Sequence, residues 1–81
     1  MKLGLSIGAR GGHFKINEGL VQEADNLGYD SLWTSESWGH DAVTPAAWAL
    51  AITKRIRVGT GIIQMTTRTP TMTAMTAITL Q

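Results

Sequence analysis

The residues best suited to chemistry are concentrated in one short stretch, SLWTSESWGHDAVTP, residues 31–45. An apolar strand signal opens the stretch, and Glu36, Trp38, His40 and Asp41 follow it within ten residues. A carboxylate can accept a hydrogen bond from a ligand or relay a proton, and an imidazole can act as a base near neutral pH. An indole can form the wall of a site for a planar ligand. The segment after this strand is therefore the first candidate for a functional site.

Two of these residues also have a structural interpretation. Glu36 can cap a nearby backbone N–H or pair with Arg10 or Arg68 instead of contacting a ligand. Trp38 can cover the rim of the fold instead of lining a site. The residue types alone leave both interpretations open.

The two histidines, His13 and His40, are candidates for general bases or for solvated loop residues. Neither has an orienting partner that the sequence makes visible. Together with Glu36 and Asp41 they are of the types that bind metal ions, but no spacing among them matches a known site. We therefore expect no metal.

Three strand-then-helix units position these residues. The alternation of apolar residues predicts strands over roughly six residues from Lys2, over Ser31–Thr34, and from Ile56 to about Ile63. Helices are predicted after the N-caps Asn17, Thr44 and Thr69, the last two followed by proline, and Gly28 supplies the stop of the first helix. Strands that alternate with helices in this way indicate βαβ units and a parallel sheet. Trp33, inside the second strand, is expected in the core.

Ligands of parallel α/β folds bind at the carboxyl ends of the strands. Three loops emerge there, at residues 8–15, 35–43 and 64–68, and all three carry polar side chains. Arg68 lies just before a predicted helix, where it can form an anion site with free backbone N–H groups or remain solvated. The opening stretch is thus a loop on the functional face.

The glycine-rich segments do not match nucleotide-binding motifs. In GTGIIQ, Gln64 stands where a dinucleotide motif has its third glycine, and no acidic residue follows in the chain. GARGG lacks the Lys-Ser/Thr of a phosphate-binding loop. Two glycines inside a strand instead indicate a bulge or a close approach to the backbone.

Composition narrows the class of protein. The chain has 81 residues, of which 43% are hydrophobic and 16% charged, with a net charge of +1 and no cysteine. These values are typical of a globular domain and give no sign of a nucleic-acid or membrane partner. The absence of cysteine and of a secretory or membrane segment favours a cytoplasmic location.

Four segments follow one another in a fixed order: MKLGLSIG, EADNLGYDSLWTSES, DAVTPAAWALAITKRIRVGTGIIQ and RTPTMTAMTAITL. Together they resemble, over the whole chain, the luciferase-like monooxygenase superfamily, and within it the oxidoreductases that depend on the deazaflavin coenzyme F420. The resemblance implies a (β/α)₈ barrel, of which this chain would form the first three of eight units. The third helix lacks a stop signal, so we expect an N-terminal fragment, with Leu3, Leu5 and Val58 on the barrel's inner face.

The resemblance also implies an activity and roles for matching residues. The activity is hydride transfer between a small organic substrate and F420, with an FMN-dependent monooxygenase, or an inactive fragment that acts only through assembly, as the alternatives. Glu36 is the expected catalytic residue, and Ser37 stands where several relatives have a catalytic histidine. Gly61-Ile62 matches a non-prolyl cis peptide behind the coenzyme ring, and Gln64 and Thr66 follow on the ring side. Substrate contacts are expected from Trp38 and His40, and a homo-oligomer is expected for the full-length protein.

Overall fold

The computed structural model describes residues 1–8, 13–36 and 39–81 of the chain. Within these ranges three strands and three longer helices alternate: β1 (Gly4–Ile7), α1 (Glu18–Asn26), β2 (Ser31–Thr34), α2 (Val43–Ile52), β3 (Arg57–Thr60) and α3 (Pro70–Leu80), with a 3₁₀ turn at Met65–Thr67 before α3. The strands form one parallel sheet in the order β1-β2-β3. The predicted α/β class is thus confirmed, and the architecture is compatible with the start of a (β/α)₈ barrel.

The helix starts follow the predicted caps at two of three places. Asn17 Oδ1 accepts a hydrogen bond from the Leu20 backbone N (3.1 Å), and Thr69 Oγ1 accepts one from the Met72 N (3.1 Å). The Thr44 cap was wrong, because α2 already begins at Val43. Asp41 Oδ2 accepts hydrogen bonds from the backbone N (2.8 Å) and the hydroxyl (3.0 Å) of Thr44. The side chain that accepts from a backbone N–H of the first turn therefore lies three residues before Thr44.

The stop after α1 is a glycine in the left-handed region, as expected. Gly28 has φ of +82°, which costs little without a Cβ. The backbone N of Tyr29 then donates to the carbonyl of Ala24 (3.0 Å), which closes the last turn.

The predicted strands are longer than the observed ones. β1 starts at Gly4, the partner of Ser31, although the Leu3 carbonyl still accepts from the Asp30 backbone N (2.9 Å). β3 ends at Thr60, and the peptide bond between Gly61 and Ile62 is cis. The predicted departure from strand geometry at Gly61-Ile62 is therefore confirmed.

The hydrophobic core lies between one face of the sheet and the helices α1 and α2. Its buried members are Ile16, Val21, Ala24, Leu32, Ala49 and Ile56. Leu5 and Val58 pack against this cluster, so their side chains face the helices and not the inner face of a barrel. The expectation for these two residues was wrong. Leu3 lies two residues before Leu5, so the alternation of a strand puts it on the same side as Leu5.

The opposite face of the sheet carries small residues and one tryptophan. The side chain of Trp33 is 45% exposed on this face, so its assignment to the core was wrong. Its indole Nε1 donates to Ser31 Oγ (3.0 Å), and a Cβ built on Gly59 would lie 2.9 Å from the ring. Glycines on both neighbouring strands, Gly4 and Gly59, leave room for the ring.

Helix α3 packs less closely than the other two. None of its residues is buried, and a groove of about 610 Å³ lies between it, α2 and β3. In the described ranges no helix has the length and apolar character needed to cross a membrane.

Candidate functional site

The carboxylate of Glu36 lies at the carboxyl edge of the sheet, two residues beyond β2, and is the centre of the candidate site. Its side chain is only 5% exposed. The main chain holds it in place, because the Glu36 backbone N donates to the Ile62 carbonyl (3.0 Å) and the Gly61 backbone N donates to the Thr34 carbonyl (2.6 Å). The segment after β2 thus continues to run beside the segment after β3, although neither is regular strand there.

Among the residues that the structure describes, four hydrogen bonds reach the two oxygens of Glu36. Oε1 accepts from the Gln64 backbone N (2.5 Å) and from Arg68 Nη1 (2.5 Å). Oε2 accepts from the Ala42 backbone N (2.9 Å) and from Arg68 Nη2 (2.9 Å). The arginine pair is bidentate, which is the strongest geometry available to a guanidinium and a carboxylate. Of the structural interpretations left open for Glu36, both the backbone cap and the pairing with Arg68 are observed.

The electrostatics of the pair follow from these contacts. The Arg68 hydrogen bonds, with smaller contributions from the backbone N–H groups of Gln64 and Ala42, lower the pKa of Glu36 to about 2 against the opposing effect of burial. The same hydrogen bonds raise the pKa of Arg68. Both groups are therefore charged at neutral pH.

Arg68 is neither solvated nor an open anion site. Its side chain is 17% exposed, and its guanidinium faces Glu36, with Asp41 Oδ2 at 4.0 Å from Nη2. Two carboxylates thus surround one guanidinium just before the N-terminus of α3. An anionic ligand would have to compete with both of them.

The residues expected to bind a coenzyme lie along the segment after β3. Ile62 is 73% exposed, an apolar side chain that faces solvent beside a backbone held by hydrogen bonds. Gln64 is half-buried, and its carbonyl accepts from Thr67 Oγ1 (3.0 Å). Thr66 is exposed within the 3₁₀ turn. We call the segment from Gly61 to Gln64 the ledge.

His40 is the one substrate candidate whose position is described. Its ring packs at a tilt against Phe14, with 5.7 Å between centroids. It shares an open cleft of about 260 Å³ with the ion pair, and the cleft is lined by Glu36, Gly39, His40, Asp41, Gln64, Thr67 and Arg68. Trp38 and Ser37 lie outside the described residues, as does Arg10. The predicted proximity of Glu36 to Gln64 is confirmed, whereas that of Trp38 stays a prediction.

Sequence reasoning missed a second buried carboxylate, Asp25 of α1. It accepts hydrogen bonds from the backbone N of Lys54 (2.8 Å), Arg55 (3.0 Å) and Ile56 (2.8 Å), which lower its pKa. The signal was its spacing, since Asp25 is four residues after the buried Val21 and so lies on the apolar side of the helix. It fixes the turn before β3, at the opposite end of the sheet from the cleft.

Metal ligation finds no support among the residues that the structure describes. No three His, Cys, Asp or Glu side chains of residues 1–8, 13–36 and 39–81 come together in a way that would hold an ion.

Comparison with known proteins places these features in context. The family model described as luciferase-like monooxygenase matches residues 1–81. A protein of Mycobacterium tuberculosis named "Putative coenzyme F420-dependent oxidoreductase Rv3520c" is 48% identical over 81 residues, which are 99% of this chain and 23% of that protein. "Uncharacterized protein YddN" of Bacillus subtilis is 39% identical over 61 residues, which are 68% of this chain and 18% of that protein. The chain thus spans about a quarter or less of the length of these relatives. No solved structure gives a significant match.

Proposed function

Because this chain belongs to the luciferase-like monooxygenase family, we propose that it forms the coenzyme-facing start of an oxidoreductase. The proposed reaction is transfer of a hydride between a small organic substrate and F420, and the coenzyme supplies that chemistry when bound. The name of the M. tuberculosis relative, which matches along the whole chain, favours F420 over FMN. The whole protein is proposed to be a homo-oligomer.

The structural observation that carries this proposal is the exposed ledge at the carboxyl edge. A flat ring system needs an apolar surface against one face and polar groups at its rim. Ile62 offers apolar surface on a backbone that is held by hydrogen bonds to Thr34 and Glu36. Gln64 brings an amide to the ledge, and Thr66 brings a hydroxyl two residues beyond its end. These donor and acceptor types fit the polar rim of a deazaflavin or a flavin.

Each residue has a part in the proposed site. Gly61 and Ile62 back the ring, and Gln64 and Thr66 hydrogen-bond its rim. Trp38 and His40 contact the substrate from the loop after β2. Loops that cover an active site generally exclude water, which prevents side reactions of the reduced coenzyme with solvent.

Coenzyme binding by a chimera tests the proposal. In this chimera, residues 1–81 replace the aligned segment of the M. tuberculosis relative, and the relative itself is titrated in parallel with F420 and with FMN. We expect the chimera to bind F420 with a dissociation constant within about tenfold of the relative's, a difference of about 1.4 kcal/mol, and not to bind FMN. A second chimera that carries only residues 57–68 keeps the test valid if the first does not fold.

The possible outcomes separate the alternatives. Saturable FMN binding without F420 binding would favour the flavin monooxygenase. Loss of both in a chimera that is folded by circular dichroism would contradict a coenzyme-facing role for this segment. Size-exclusion chromatography of the 81-residue chain tests the remaining alternative, a fragment that acts only through assembly.

A further inference from the structure

We propose that Glu36 and Arg68 are positioning residues for the coenzyme: their side chains form an ionic clamp that fixes the ledge against the ring. The inference rests on the proposed function. It also revises the catalytic role expected for Glu36, because the clamp leaves the carboxylate no part in moving a proton.

The clamp joins three segments of the chain at one carboxylate. Glu36 follows β2, the Ala42 backbone N lies at the start of α2, and the Gln64 backbone N and Arg68 lie between β3 and α3. A single side chain therefore contacts both loops that form the cleft, in addition to the backbone hydrogen bonds that join them. Arg68 is the only partner among these that brings a compensating charge.

Glu36 holds the ledge at two points. Its backbone N donates to the Ile62 carbonyl (3.0 Å), and its side chain accepts from the Gln64 backbone N (2.5 Å). These two contacts lie at the exposed Ile62 itself and at the end of the ledge, residue 64. A displacement of Glu36 would therefore move the surface on which the ring is proposed to lie.

The occupancy of the carboxylate argues against a proton relay. Each oxygen already accepts two hydrogen bonds, and burial leaves the side chain 5% exposed. A general base works best with a pKa near the operating pH, whereas the pKa of Glu36 is about 2. To take up a proton, the carboxylate would have to break its bidentate pair with Arg68 and leave that cation with only the more distant Asp41, 4.0 Å from Nη2.

Two variants and a matched pair of controls test the clamp in the chimera. Glu36→Gln replaces one acceptor oxygen by an NH₂ group that faces N–H donors, and Arg68→Lys keeps the charge but loses the bidentate geometry. The controls are Asp30→Asn and Arg57→Lys. They alter an exposed ion pair at the amino end of the sheet, where the Arg57 side chain is 71% exposed.

The first readout is hydrogen exchange of backbone amides in the coenzyme-free protein. We expect peptides that contain Ala42 and Gln64 to exchange at least about tenfold faster in Glu36→Gln, since one amide loses its acceptor and the other keeps only a neutral one. Arg68→Lys should lie between wild type and Glu36→Gln, and the controls should match wild type. Unchanged exchange at both amides would overturn the clamp, whatever the coenzyme result.

The second readout is binding and turnover. The dissociation constant for F420 should rise about tenfold or more in Glu36→Gln, because a displaced ledge misplaces the ring, while the shape of the pH profile of kcat stays as in wild type. A fall in kcat with an unchanged dissociation constant, or loss of one limb of the pH profile, would instead identify Glu36 as a proton carrier. A chimera that binds no F420 before mutation would refute the proposed function, and the exchange measurement would still decide on the clamp.

Discussion

Gly59 lies beneath the indole of Trp33, and a single methyl group there tests how the open face of the sheet is packed. A Cβ on Gly59 would lie 2.9 Å from Trp33 Cζ3, 3.1 Å from Cε3 and 3.3 Å from Cη2. Carbon atoms in ordinary contact are about 3.5–4.0 Å apart, so the ring must move in Gly59→Ala. The movement also pulls on the hydrogen bond from the indole to Ser31. Gly59 lies within β3 and its φ is not in the left-handed region, so the glycine is there for space.

The size of the effect follows from three contributions. Overpacking typically costs about 1–3 kcal/mol, and the lower end is favoured because the crowded atoms belong to a side-chain ring and not to the backbone. Losing the hydrogen bond to Ser31 adds about 0.5–1.5 kcal/mol. Replacing glycine by alanine lowers the conformational entropy of the unfolded chain, which stabilises the folded state by about 0.4–1 kcal/mol. We therefore expect Gly59→Ala to lower the free energy of unfolding by about 1–2 kcal/mol.

A double-mutant cycle in the chimera measures this crowding directly. Gly59→Ala, Trp33→Ala and the double variant are compared by urea unfolding, with Gly19→Ala as the control, because a Cβ there approaches nothing closer than 3.7 Å. We expect the alanine at position 59 to be neutral or stabilising once the ring is gone, which gives a coupling of about 1–2 kcal/mol. A coupling below about 0.5 kcal/mol would show that the ring does not rest on the glycine.

Three further predictions concern the core, acid stability and the isolated chain. Leu32→Ala should lower the free energy of unfolding of the chimera by about 2–5 kcal/mol in urea, because Leu32 is fully buried, and a loss below about 1 kcal/mol would contradict its place in the core. Since the pKa of Glu36 is depressed, the unfolded state binds more protons below the ordinary value of 4.5, so stability should fall as pH drops from there toward 2, and Glu36→Gln should flatten this slope in acid titrations followed by circular dichroism. The 81-residue chain alone should show neither a cooperative urea transition nor saturable F420 binding, because the open face of its sheet and most of α3 are uncovered. A sharp monomeric transition with coenzyme binding would show the chain to be complete in itself.

The elements that local chemistry determines were predictable from the sequence. Ser31–Thr34 and the start of α3 came out as expected, because an apolar run and a cap followed by proline act over a few residues. The face of each strand was harder. Alternation separates Leu5 and Val58 from Trp33 but does not say which set meets the helices. Only the structure shows that Gly4 and Gly59 leave room for the ring on the face away from the helices.

The sequence predicted at which edge of the sheet the site lies, but not which residues pair with one another there. The rule that parallel strands end at one functional edge brought Glu36 and Gln64 to the same cleft. It could not choose between Arg10 and Arg68 as the partner of Glu36, because 32 residues separate the observed pair and only the folded chain joins them. The buried Asp25 shows the same limit, with backbone partners about 30 residues away.

The clamp also depends on donors that no side-chain pattern can reveal. Two of the four hydrogen bonds that described residues donate to the Glu36 side chain come from the backbone N–H groups of Ala42 and Gln64. Any residue except proline supplies such a group. Their direction toward the carboxylate is set by the path of the chain after β2 and β3. Substitutions at positions 42 and 64 therefore leave the clamp intact as long as the backbone path is kept, whereas the charge of Arg68 has no substitute in the main chain. The side chain of Gln64 is consequently available for the coenzyme while its backbone serves the clamp, so one residue can take part in both without conflict.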